Sequence, residues 1–233
     1  MKTLIKIKGI CFIMIWFLFF HTLKIFSQEY KFKIGGINGT SFYMGDANKT
    51  KLYQNPDFAG GAIFRYNLSF HWAVKATLLA GNVSGNSARS NNHFPFQEHA
   101  AFNRSFSELS TQVEFNFLPF SDKYKYLNTK RYTPYIFTGA GVTYAKGEYD
   151  FKSLNMPFGI GFKYKLKNRM NIGIEFSMRN LFRDDFDVTD SVNEWSLNNP
   201  YNIKSSSLKN QDRYSLTMIF LTWEFDSRED SCR

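Results

Sequence analysis

Apolar and polar residues alternate one by one along much of this chain. The clearest stretch is Phe158 to Leu166. Phe158, Ile160, Phe162, Tyr164 and Leu166 fall on one face, and Gly159, Gly161, Lys163 and Lys165 on the other. Met170 to Met178 repeats the pattern, with Met170, Ile172, Ile174, Phe176 and Met178 against Asn171, Gly173, Glu175 and Ser177. A period of two is that of a β-strand. The Lys167-Asn168-Arg169 segment between the two reads as a tight polar turn, which makes the pair a hairpin. Leu109–Phe117, Ala62–Leu68 and Trp72–Ala80 alternate in the same way, the last two joined by Ser69-Phe70-His71. Tyr30–Tyr43 alternates at its start, and Gly35, Gly36 and Gly39 then suggest bends or bulges. Pro134–Lys146 and Tyr214–Phe225 are apolar on both faces, which brings the expected strands to eight.

Segments of about 9–11 residues match tilted strands that cross a bilayer. Beyond residue 27 no apolar run approaches the roughly 18 residues of a spanning helix, so any membrane crossing must be made by strands closed into a barrel. The connections alternate in length. Those after Leu68 and Leu166 are short, the one from Pro119 to Tyr132 is of medium length, and Met44–Asp57, Ser84–Asn103, Gly147–Leu154 and Phe182–Gln211 are longer. An even-stranded barrel keeps both termini and the short turns in the periplasm and the longer loops outside. A soluble lipocalin-like barrel would show the same period with its apolar face inward. Three features favour lipid instead. The polar face mixes charges of both signs with small residues. Aromatics gather at strand ends, as at Trp72, Phe117, Tyr164 and Tyr201. The last strand ends Trp223-Glu224-Phe225, which resembles the signal that the barrel-assembly machinery recognises. The fold expected is all-β: an eight-stranded antiparallel transmembrane barrel over residues 28–226, in contact with outer-membrane lipids, with a periplasmic tail at 227–233.

The N-terminus adds an address. Lys2, Lys6 and Lys8 precede an uncharged apolar run from Ile10 to Phe20, followed by Lys24 and Ser27. This reads as a secretory signal peptide over residues 1–27, its apolar core too short for a membrane anchor. Those residues hold four lysines and no acid. The net charge of +9, from 29 Lys+Arg and 20 Asp+Glu, therefore falls to +5 in the remainder. Bases interleaved with acids in an exported chain exclude a nucleic-acid partner. Aromatic residues make up 18 % of the chain, while the mean hydropathy of −0.35 is too low for a helical membrane protein.

Candidate chemistry is sparse. His71 falls in a short turn, and His93 and His99 share a loop with Glu98, a spacing that does not by itself converge on a metal. Asp184, Asp185, Asp187 and Asp190 crowd one loop without the glycine of a calcium turn, and suit solvation or pairing with Arg179 and Arg183. No histidine lies in a strand core where a barrel hydrolase would need it. Catalytic, cofactor and metal sites are accordingly expected to be absent. Cys232 is the only cysteine beyond the signal peptide, free or available for a disulfide to another chain. Lys75, Glu114, Lys163, Lys165, Glu175 and Arg179 all fall on inward positions. In a barrel only wide enough for side chains they should pair into a plug rather than line a channel.

Several longer segments resemble one family. They are Ser41–Lys49, Thr129–Gly139, the hairpin Gly159–Phe176, Asp187–Asp190 and Ile203–Phe225. Together they resemble the PorG-like outer-membrane β-barrels of Bacteroidota, a family of unknown-function domains associated with the type IX (Por) secretion system. The resemblance implies a non-enzymatic barrel that anchors a periplasmic ring, made of a lipoprotein and its companion protein, to the outer membrane. Contacts would come from Pro119–Tyr132 and the tail after Phe225. Two alternatives stand beside it: a surface barrel whose long loops bind a ligand or host surface, and a small pore.

Overall fold

The computed structural model describes residues 30–44, 53, 55–86, 101–122, 126, 128–146, 150–166, 169–183, 186 and 212–225. The expected signal peptide, residues 1–27, and the expected tail, residues 227–233, lie outside them. Eight strands follow one another: β1 Phe32–Met44, β2 Asp57–Asn67, β3 Trp72–Asn86, β4 Ala101–Asn116, β5 Tyr132–Lys146, β6 Phe151–Lys165, β7 Met170–Leu181 and β8 Arg213–Phe225. Each pairs antiparallel with its neighbour in sequence, and β1 pairs with β8, from Phe32↔Phe225 to Met44↔Arg213, to close the barrel. Each of the eight strands thus has a partner on both sides, which is what a sheet in hydrocarbon requires.

The register fixes the shape. Following paired residues from Phe32 through Tyr66, Val74, Val113, Thr138, Phe158, Met178 and Ser215 returns to β1 at Phe42, ten residues further on. Eight strands with that stagger tilt by about 40° and enclose only enough room for side chains. The β1 register runs unbroken from Phe32 to Ser41 against β2, so of the bends or bulges that its glycines suggest, no bulge forms. Gly35 and Gly39 are instead places of close approach. A Cβ on Gly35 would lie 1.9 Å from the Leu221 carbonyl oxygen, and on Gly39 2.1 Å from that of Thr217.

The face assignments hold on the strands for which the sequence sets one, and on β5 and β8 the structure supplies it. Ile34, Phe64, Leu78, Leu109, Ile136, Ile160, Ile174 and Ile219 point outward and are exposed, while Lys33, Arg65, Lys75, Glu114, Lys163 and Glu175 point inward and are buried. An apolar belt around a polar interior is the arrangement of a barrel that crosses a membrane. Trp72, Phe117, Tyr132, Tyr164, Trp223 and Phe225 ring the belt at the end that carries both strand termini.

Several strands run further than the alternating segments indicate, chiefly at the other end. β3 continues to Asn86, β4 starts at Ala101 and β6 at Phe151. Above the belt the pattern changes phase. Val83, Phe102, Phe106, Phe151 and Leu181 turn inward and are buried, while Asn82, Asn103, Ser105, Lys152 and Asn180 turn outward. Outside lipid the wall meets water, so the apolar side belongs inside, as in a soluble barrel.

This geometry makes Ile160→Arg, which puts a charge on the lipid face near mid-depth, cost about 2–4 kcal/mol, and Tyr164→Arg, on the same face at the belt's edge, about 0–1 kcal/mol. Urea titrations of the two variants folded into lipid vesicles measure the difference.

Candidate functional site

The lumen is the one place where functional groups converge among the described residues. Midway along it, Glu114 accepts from the Arg65 Nη2 at 2.9 Å, lies 2.9 Å from the Arg65 Nε, and meets Lys163 at 3.0 Å and Lys75 at 3.4 Å. Glu175, across the barrel on β7, accepts from Lys75 at 2.7 Å and from the Tyr135 hydroxyl at 2.6 Å. Three cations thus face two carboxylates. The surplus charge meets ring faces: Lys75 lies 4.1 Å from the Phe137 centroid, Lys163 4.5 Å from Tyr135 and Arg65 5.0 Å from Phe220. Desolvated cation–π contacts of this kind contribute about 2 kcal/mol. Inward glycines make room for the rings. A Cβ on Gly161 would fall 2.5 Å from Tyr135, and on Gly173 2.4 Å from Phe220.

Two further layers lie on either side. Towards the terminal end, Glu224 holds Lys33 at 2.7 Å and Lys165 at 3.0 Å and accepts from Asn171 at 3.0 Å, while Lys165 also reaches Asp122 at 3.1 Å. Phe120, from the β4–β5 connection, closes this mouth. It is buried, with Lys33, Lys163 and Lys165 ammonium groups 4.8, 5.4 and 5.8 Å from its ring centroid. Backbone bonds from Ser121 to the Lys130 carbonyl, 3.0 Å, and from Lys130 to that of Pro119, 2.8 Å, hold the connection folded back on itself.

Towards the other end, Glu108 accepts from Arg179 at 3.1 Å and from the Tyr214 hydroxyl at 2.5 Å. Above it, Phe106, Phe186 and Tyr214 pack together, with Phe151 edge-on to Phe186 at 5.2 Å and Phe102 edge-on to Tyr43 at 4.8 Å. Asp212 accepts from the Tyr43 hydroxyl and the Phe186 amide, and Arg104 donates to the Phe186 carbonyl at 3.0 Å.

All six inward charges expected from sequence are lumenal. Lys75, Glu114, Lys163 and Glu175 meet in the middle layer, Lys165 joins Glu224, and Arg179 joins Glu108. Sequence reading did not single out Lys33, Arg65, Arg104, Glu108 or Glu224. Arg65 and Glu224 carry the same signal as the others, each a charge between two aromatics: Phe64 and Tyr66, Trp223 and Phe225. Glu108 and Arg104 precede the stretch of β4 that alternates in the expected phase. Trp223 and Phe225 lie on the lipid face, Phe225 stacked on Phe32 at 5.7 Å. His71 sits in the β2–β3 turn, its Nδ1 2.8 Å from the Asn116 carbonyl oxygen. His93, His99, Asp184, Asp185, Asp187, Asp190, Tyr201 and Cys232 lie outside the described residues.

A water-filled channel would leave its lining charges accessible. Lys33, Arg65, Lys75, Glu114, Lys163 and Lys165 are each 0–1 % exposed. Fold and lumen together define a transmembrane β-barrel whose interior is filled by its own ion pairs. The chain belongs to the family described as a domain of unknown function (DUF6089), whose profile matches residues 10–233. No curated protein matches the sequence. Among solved structures, the chain is similar to Ail, the attachment invasion locus protein of Yersinia pestis, crystallised with the heparin analogue sucrose octasulfate. That match has 11 % identity over 84 % of this chain and 97 % of that one, with a TM-score of 0.42. Neisserial surface protein A matches with 10 % identity over 83 % and 97 % of the two chains and a TM-score of 0.44. The outer membrane protein OprG of Pseudomonas aeruginosa matches with 12 % identity over 86 % and 100 % and a TM-score of 0.42.

Glu114→Gln leaves three buried cations facing the single carboxylate of Glu175 and takes from Lys163 its carboxylate partner. Breaking a buried ion pair in this way costs about 3–5 kcal/mol. Lys146→Gln, on an exposed position, should stay within about 0.5 kcal/mol of wild type. Equilibrium unfolding in vesicles checks both.

Proposed function

We propose that this protein is a non-enzymatic structural barrel of the outer membrane that anchors the periplasmic ring of a type IX secretion system. The filled lumen carries the structural half of this reading. A barrel whose interior is occupied by Glu108, Glu114, Glu175, Glu224 and their partners leaves its outer wall and its two ends to do the work. The secretion half is supported by the sequence resemblance, which runs through most of the chain beyond the signal peptide. Export behind residues 1–27, and insertion by the barrel-assembly machinery through the strand that ends at Trp223 and Phe225, belong to the same reading.

The terminal end offers the contact. The β4–β5 connection is anchored by Phe120 and the Asp122–Lys165 pair, yet presents Tyr126 at 75 % exposure. A rigid base with a protruding aromatic suits a docking surface, because little ordering entropy is lost on binding. The partners proposed are the ring lipoprotein and its companion protein.

The mature chain should fractionate with the outer membrane and migrate differently on gels with and without heating. Deleting its gene, together with any paralogue, should abolish secretion of type IX cargo while other outer-membrane proteins stay in place. Gentle detergent extraction should co-purify the ring lipoprotein. Normal cargo secretion in the deletion strain contradicts the anchoring role.

A further inference from the structure

At the end that carries both strand termini, the backbone ladder runs one residue past the strands. The Asn67 amide donates to the Lys31 carbonyl at 2.8 Å, the Lys165 amide to that of Arg131 at 2.7 Å, and the Glu224 amide to that of Arg169 at 2.8 Å. Residues paired across antiparallel strands share a face. Asn67, Lys165 and Glu224 are inward and buried, so Lys31, Arg131 and Arg169 stand on the lumen side of the wall, at its rim. Arg131 and Arg169 are exposed there, and Lys31 is half-buried. The Tyr30 ring ties Arg169 to the same mouth. Its centroid lies 4.8 Å from the Arg169 guanidinium carbon and 5.9 Å from the Lys165 ammonium.

The inward charges of this mouth do not balance. Lys33 and Lys165 are matched by Glu224 and Asp122. Lys31, Arg131 and Arg169 meet no carboxylate among the described residues, so five cations face two acids, a surplus of three. At the opposite end the inward cations are taken up, Arg179 by Glu108 and Arg104 by the Phe186 carbonyl. In the closed ring β1 stands opposite β5, with β7 between them on one side. An eight-stranded bore is only wide enough for side chains, so three long cationic side chains on its rim converge over the opening. Like charges gathered this way repel one another, and anionic groups seated between them remove the repulsion.

We propose that this mouth binds an acidic peptide segment, presented by a periplasmic partner, whose carboxylates seat among Lys31, Arg131 and Arg169. The compartment of that partner rests on the anchoring role proposed above, and the chemistry of the site does not. A lipid or a small anion such as phosphate is the other ligand such cations could take. Two features favour peptide. The cations lie inside the ring of the wall, away from the outer face that lipids contact. They are also spread over three strands, which suits several carboxylates along one segment better than one compact anion. Phe120 and the lysines around it floor the mouth, so the segment lies across the opening rather than threading the bore. A guanidinium lying over a ring, as Arg169 does over Tyr30, keeps its N–H edge for a carboxylate.

In the test, the mature barrel is folded into micelles of a zwitterionic detergent and titrated into fluorescein-labelled hexaglutamate while anisotropy is read. Saturable binding is expected. Hexaglutamine should not bind, and 1 M salt, where screening reaches within about 3 Å, should abolish the hexaglutamate signal. The variant Lys31→Gln/Arg131→Gln/Arg169→Gln should weaken binding several-fold. Because it removes unpaired like charges, its urea midpoint should equal or exceed that of wild type. The variant Lys146→Gln/Lys152→Gln/Arg183→Gln/Arg213→Gln, at the other end, should bind as wild type does. If the triple variant does not fold, Arg131→Gln alone must still weaken binding. No binding by wild type, or binding that survives the mouth substitutions, overturns the proposal. So does a lowered urea midpoint in the triple variant, which would make these cations part of what holds the barrel together. Displacement of the peptide by inorganic phosphate, beyond the effect of sodium chloride at equal ionic strength, overturns it in favour of a small-anion site. All of these readings come from the purified barrel, so they are independent of cargo secretion in the deletion strain, and the two proposals fail separately.

Discussion

Glu114 holds Arg65, Lys75 and Lys163 in a space that water does not reach, and the reason it must do so lies in the wall around it. A sheet closed in lipid turns its apolar residues outward, and the period of two then sends every alternate residue inward. With eight strands and a stagger of ten, those inward residues share a bore that admits little besides themselves. Polar groups there cannot rely on solvent, so each charge needs a partner of opposite sign or a ring face. The carboxylates of β4, β7 and β8 supply the partners for cations on β1, β2, β3, β6 and β7. Because these pairs join strands far apart in sequence, they tie together walls that the backbone ladder connects only to nearest neighbours.

The lipid-crossing part of each strand was legible because one physical rule governs it: apolar out, polar in. The same rule identified six lumenal charges without any knowledge of which would touch. What it could not give was the pairing, which depends on tilt and on which rings fill the gaps beside inward glycines such as Gly161 and Gly173. It also ended β3 and began β4 inside their true limits. There the wall leaves lipid and the rule inverts, so that Phe102 and Phe106 point inward and Asn103 and Ser105 outward. A reading that looks for one phase stops where the surroundings change. The glycines of β1, read as bends or bulges, mark close approach between strands and no break in register.

The two mouths close by different means. An aromatic cluster around Phe186 and Tyr214 caps one end, and a single ring, Phe120, sits among three lysines at the other. Both closures use residues from connections as well as strands, so the loops contribute to the barrel's interior and not only to its surface. A rigid, filled cylinder of this kind suits a part that bears load between a membrane and whatever docks on its end. It does not suit a conduit.

That distinction rests on the lumen, and electrical recording reads the lumen directly. The refolded mature barrel, inserted in a planar lipid bilayer in 1 M potassium chloride, should show no stepwise conductance at either polarity. Reproducible single-channel steps from the wild-type protein would mean that the ion-paired layers do not seal the bore, and would contradict a barrel filled by its own side chains.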